Sequence, residues 1–267
     1  MATFFALTFS WTWGLWAITA LWPKGPSAVV TTLMLTSAFG PSLAGLVTVA
    51  AFDRGPGVGR WLRRCLVWRL GLKWYAIATL APLIAMAVAL GLHAALGGVV
   101  PASPATGPLW MSVLIVVQIM VLGGPLGEEF GWRGYALPAL SQHIGWRWAS
   151  LAIGVVWAAW HLPLFWMPGT AQAALPLLPF LAGTVALSVV FARLAVNTRL
   201  SVLPAILLHG AINAGSWALP VTPQSGDDGP YLIVTGLLLI TAIGFLLRPG
   251  PDLPPPSRPD PQQAALG

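Results

Sequence analysis

The chain has 267 residues, 57% of them hydrophobic and 7% charged, with a mean hydropathy of +0.80 and a net charge of +6. A soluble domain carries about a quarter charged residues, so this chain lacks the means to cover a water-facing surface. Its basic excess is arginine, eleven Arg against two Lys, but no soluble module is left to present that charge to nucleic acid.

Apolar runs of about 20 residues are long enough to cross the hydrocarbon of a bilayer. They fall near 2–22, 29–52, 74–98, 109–126, 148–167, 176–195, 200–219 and 231–247. The expected architecture is therefore all-α, a polytopic transmembrane bundle of about eight spans. Residues 2–22 lack a positive segment before them and a small-residue cleavage site after them, and read as a retained first span. With the N-terminus in the cytoplasm and every run crossing, twelve of the thirteen basic residues fall inside, Lys24 alone lying outside. The positive-inside rule then predicts that both termini are cytoplasmic. The fifteen Trp suit a chain with many membrane–water crossings.

Between the second and third runs, segment 53–73 alternates Arg with Trp61, Leu62, Leu66, Val67, Trp68 and Leu70. It reads as a basic amphipathic helix lying on the inner leaflet. Cys65 is the only cysteine, which rules out a disulfide framework and a Cys-based metal site. Its place beside Arg63 and Arg64 is compatible with palmitoylation, though an incidental small residue is the simpler reading. Residues 1–248 form one transmembrane domain, and 249–267, rich in Pro and polar residues, are expected to be a disordered tail.

The chemistry is concentrated after the fourth run, in Gly127-Glu128-Glu129-Phe130-Gly131-Trp132-Arg133-Gly134-Tyr135. A carboxylate at membrane depth costs a few kcal/mol, and this chain places two of its seven acidic residues there. Gly123-Gly124-Pro125 should break the helix just before them. If a helix resumes, Glu129 and Arg133 are four apart on one face and pair. Glu128 is turned by about 100° and faces elsewhere, free for acid–base work in an apolar pocket. His161 lies inside the fifth run, one turn after Trp157. His209 lies inside the seventh, with Asn213 four residues on and on the same face. An imidazole and a carboxamide side by side can donate to a developing oxyanion. Each polar residue alone would be an ordinary interhelical hydrogen bond, but one shared cavity accounts for all of them. His93 stands alone near the end of the third run, and His143 is placed in a loop; neither is assigned to the site.

No His-Glu-x-x-His, Gly-x-Ser-x-Gly or phosphate-binding loop occurs. A proton-coupled carrier using Glu128, His161 and His209 as a relay is the competing class, and the lack of an internal repeat argues against it.

Glu128-Glu129-x-x-x-Arg133, then Trp157-x-x-x-His161, then His209-x-x-x-Asn213, in that order on successive helices, resemble the type II CAAX prenyl endopeptidases. This is the CPBP or abortive-infection family, which includes the Ras-converting enzyme and bacteriocin-immunity relatives. The resemblance covers about 109–219. One position departs from the pattern: Trp157 stands where the family usually has Phe. The resemblance implies an intramembrane endopeptidase of the cell membrane acting on a membrane-associated peptide, prenylated CAAX proteins being the eukaryotic substrates. Carried over, Glu128 is the general base assisted by His161, His209 and Asn213 form the oxyanion hole, and Arg133 orients Glu129. Two alternatives stay open at this point. One is a zinc site of His161, His209 and Glu128 with an open fourth position. The other is a catalytically idle immunity or scaffold member.

Overall fold

The structure, a computed structural model, describes residues 1–22, 27–52, 57–103, 105–223 and 226–248. The expected tail at 249–267, Lys24 and the start of the 53–73 segment lie outside these. Eleven α-helices follow in order among the described residues: α1 (Ala2–Leu21), α2 (Ala28–Ser37), α3 (Gly40–Phe52), α4 (Gly57–Cys65), α5 (Leu72–Ala95), α6 (Leu109–Leu122), α7 (Pro125–Gly131), α8 (Leu137–His161), α9 (Leu177–Asn197), α10 (Leu203–Ala218) and α11 (Gly229–Leu247). A π-helical turn, Trp132–Ala136, joins α7 to α8, and short 3₁₀ turns lie between α8 and α9. No described element is a strand.

In an apolar medium every polar group has to be satisfied internally. Helices satisfy the backbone, and hydroxyls inside them bond back to the carbonyl one turn earlier, as Thr48 does to Ala44, Thr184 to Phe180 and Thr235 to Tyr231. Among the described residues five helical stretches are long and apolar enough to cross a membrane: Ala2–Leu21, Leu72–Ala95, Leu109–Trp166, Leu177–Asn197 and Gly229–Leu247. The pair α2 and α3, bent by 51° at its break, makes a sixth if taken as one broken span. The chain is a multi-pass membrane protein. The eight expected runs are grouped differently here, for a local reason. Runs 109–126 and 148–167 are joined end to end in one helical stretch of 58 residues, and α10 at 16 residues is short for a span.

The amphipathic segment is also shorter than expected. Among its described residues only 57–65 is helical, and the chain runs irregularly until α5 starts at Leu72. Part of its apolar face is turned into the protein. Trp61 and Cys65 are buried against Val49, Val202 and Ile206, while Leu66 and Trp68 remain exposed. Burial pushes the Cys65 thiol up to about 11, against the opposing pull of Arg64. A thiol so enclosed is a poor acylation site, which favours the incidental reading. His143 lies on an exposed turn of α8, not in a loop, because helix continues up to the break at Gly145 (φ 73°). His93 is not alone: its Nε2 lies 3.1 Å from the Asp227 carboxylate.

Glycine spacing fixes the helix that carries the two glutamates. Gly127 and Gly131 are one turn apart on α7 and face the α2–α3 break. A methyl group on Gly127 would fall 2.4 Å from the Ala38 carbonyl oxygen, and one on Gly131 would fall 2.2 Å from that of Pro41. Backbones this close require glycine on the approaching face. The opposite face of α7, with Glu128 and Glu129, is thereby turned into the bundle towards α10 and the C-terminal end of α8.

Candidate active site

The break ahead of α7 forms where the sequence predicts it. α6 ends at Leu122, Gly124 adopts φ 110°, and Pro125 starts the new helix. That left-handed turn is open to glycine and strained for other residues. α7 then places its two carboxylates in different surroundings.

Glu129 is fully buried. Its Oε1 accepts from Arg133 Nη1 at 3.0 Å and from His209 Nδ1 at 2.8 Å. The Arg133 guanidinium is itself 2% exposed and lies over the rings of Trp157 and Phe191, 4.4 and 4.0 Å from their centroids. The predicted i, i+4 pair therefore forms, with two aromatic faces covering the cation.

Glu128 looks the other way, into a cavity of about 310 Å³. His161, His209 and Asn213 line the same cavity, with Trp157, Phe180 and Thr184. Glu129 and Arg133 do not line it; they stand behind its wall. Glu128 Oε2 accepts from the Trp157 indole N–H at 2.7 Å. A methyl group on Gly124 would fall 2.7 Å from Glu128 Oε1 and 3.5 Å from His209 Nε2. Both atoms thus converge on the space beside Gly124 that a side chain there would occupy.

Each imidazole has one nitrogen engaged and one turned to the cavity. His161 Nδ1 is 2.8 Å from the Trp157 carbonyl oxygen, which can only accept, so Nδ1 carries the proton. The same argument protonates His209 Nδ1, which faces the Glu129 carboxylate. Asn213 Nδ2 donates one proton to the Gly123 carbonyl at 2.9 Å and keeps a second. A second, largely apolar cavity of about 200 Å³ adjoins the first and shares Met86, Leu187, Ile212, Val234 and Leu238 with it.

Zinc is a poor fit. Among the described residues no three His, Cys, Asp or Glu side chains stand close enough together to hold a metal ion, although His161, His209 and Glu128 line one cavity.

All seven residues singled out in the sequence lie in or directly behind this cavity wall. What sequence reasoning missed is the role of the backbone and the aromatic donor: Gly124, the Gly123 carbonyl and the Trp157 indole N–H. The Gly-Gly-Pro string signalled the first two. Nothing local signalled the third.

Comparison with known proteins agrees with the motif reading. Residues 108–215 match the type II CAAX prenyl endopeptidase Rce1-like family, a stretch that includes all seven of those residues. The chain is also similar to CAAX prenyl protease 2 of Methanococcus maripaludis, 27% identical over 139 residues, covering 50% of this chain and 49% of that protein. The chain thus spans about half the length of the curated relative it matches. The resemblance to the CPBP family is borne out by both matches.

Proposed function

We propose that this Rce1-like chain is an intramembrane endopeptidase that hydrolyses a peptide bond in a membrane-associated substrate, with Glu128 as its base. The observation that carries the reading is the convergence of Glu128 Oε1 and His209 Nε2 on one buried cavity that His161 and Asn213 also line. Peptide hydrolysis needs a base for water and donors for the oxyanion, and this set holds both.

Water held between Glu128 and His161 Nε2 gives its proton to Glu128 as its oxygen bonds to the scissile carbonyl carbon. The carbonyl π pair moves to oxygen, and the oxyanion is met by the free Asn213 amide proton and by His209 Nε2. To donate there, His209 carries its second proton, which the Glu129 carboxylate at Nδ1 stabilises. Collapse of the tetrahedral species breaks the C–N bond, and Glu128 returns the proton to the amine. Arg133 takes no part in the bond changes; it pairs with the Glu129 carboxylate at 3.0 Å behind the cavity wall.

The adjoining apolar cavity suits a hydrocarbon group on the substrate, in keeping with the prenyl protease named among its relatives. An orientation in the cell membrane with both ends in the cytoplasm would open the site to that side. The test is cleavage of a prenylated reporter peptide by purified protein in detergent, with Glu128→Ala beside wild type and with and without a zinc chelator. Cleavage lost in the variant and untouched by the chelator is the expected result. Chelator-sensitive cleavage would replace the glutamate mechanism with a metal one.

A further inference from the structure

The general base has a partner that the motif pattern does not supply. The resemblance calls for phenylalanine at 157, and this chain has tryptophan. Both rings fill the space beside the imidazole of His161, but only an indole carries a donor. Here that donor is used: Trp157 Nε1–H meets Glu128 Oε2 at 2.7 Å, with Trp157 3% and Glu128 5% exposed. An N–H to an ionised carboxylate at this distance, away from water, is among the stronger hydrogen bonds a side chain makes.

The Trp157 side chain is itself fixed on several sides. The Arg133 guanidinium lies over its ring, the rings of Phe191 and His209 meet it edge-on at 5.9 and 5.8 Å, and its backbone carbonyl accepts from His161 Nδ1. One residue therefore touches Glu128, His161, His209 and Arg133. A glutamate has three side-chain torsions, and in an open cavity its two oxygens exchange freely. Tethering Oε2 removes that exchange and leaves Oε1, beside Gly124 and His209 Nε2, as the oxygen turned to the reacting centre.

We infer that Trp157 is a positioning residue whose indole N–H holds the base Glu128 with one defined oxygen towards the attacking water. This rests on the peptidase reading for its kinetic consequence but not for the bond itself, so two measurements separate them. In protein labelled with ¹⁵N at the indole nitrogens and held in detergent, the Trp157 signal is the one of fifteen that Trp157→Phe removes. It is expected to move upfield in Glu128→Ala. A signal that stays in place overturns the inference, whatever the activity. In the cleavage assay, Trp157→Phe should lower kcat on the order of 10-fold with KM within about twofold, as expected when a donor to a charged group is lost from a site that still binds substrate. The benzothienylalanine isostere at 157, with sulfur in place of N–H, keeps the ring and its stacking on Arg133, and should show the same loss. Wild-type kcat in the isostere, or a change confined to KM, overturns the positioning role. If wild type cleaves no peptide while the indole signal still responds to Glu128, the peptidase reading fails and the bond stands.

Discussion

Among the described residues there are two histidine–carboxylate contacts, His209–Glu129 in the middle of the bundle and His93–Asp227 at its rim. By distance they look alike, 2.8 and 3.1 Å. Their surroundings differ. Glu129 is fully enclosed, shares its oxygen with a buried arginine, and touches a histidine whose other nitrogen looks into a cavity. Asp227 has 45% of its side chain in solvent and also caps Gly229 N–H. The His93 ring is wedged where methyl groups on Gly98 and Gly229 would fall 2.2 and 2.5 Å from it. His93–Asp227 is a clasp between the end of α5 and the start of α11. A histidine beside a carboxylate becomes chemistry only where its second nitrogen has somewhere to work.

Mutation should separate the two contacts sharply. Glu129→Leu leaves a buried guanidinium and a buried imidazole without their anion. It should cost about 3–5 kcal/mol, read as a large fall in the unfolding midpoint in detergent, and abolish cleavage. Glu128→Gln keeps an acceptor for Trp157 and should change stability little. It removes the base, and cleavage should fall about 10²–10⁴-fold. A Glu128→Gln protein that cleaves normally would break the division of labour between the two glutamates. Gly131→Ala forces a methyl against the Pro41 carbonyl and should cost about 1–3 kcal/mol as α7 lifts from the α2–α3 break. Activity should decline with it, because both carboxylates ride on that helix. Asp227→Asn at the rim should cost less than about 1 kcal/mol and leave cleavage unchanged. Equal destabilisation by Asp227→Asn and Glu129→Leu would erase the distinction between clasp and site.

What the sequence disclosed follows the range of the interaction. Glu129–Arg133, the break at Gly124-Pro125 and the shared face of His209 and Asn213 are contacts within a turn, so spacing alone predicts them. His209 meeting Glu129 across 80 residues, and Trp157 meeting Glu128 across 29, depend on how helices pack. The pairing of His209 was therefore foreseen only as a place in a common cavity, not as a bond. The end of α4 at Cys65 was missed for a similar reason. Alternating Arg and apolar residues continue to Leu70 and look helical, but the Cys65 carbonyl is drawn off to accept from Val202 N–H, a partner in the turn before α10. His93 read as solitary because Asp227 is 134 residues away, just ahead of another helix.

Gly127 and Gly131 have a mechanical meaning beyond close packing. They make α7 a key seated in a slot, with no clearance for rotation. Rolling the helix by one residue, about 100°, would present Glu129 where Glu128 now stands and would drive side chains into the backbone at Ala38 and Pro41. The two adjacent glutamates are chemically identical, and nothing in their own atoms says which should face the cavity. That choice is made on the far side of the helix, by the absence of two methyl groups.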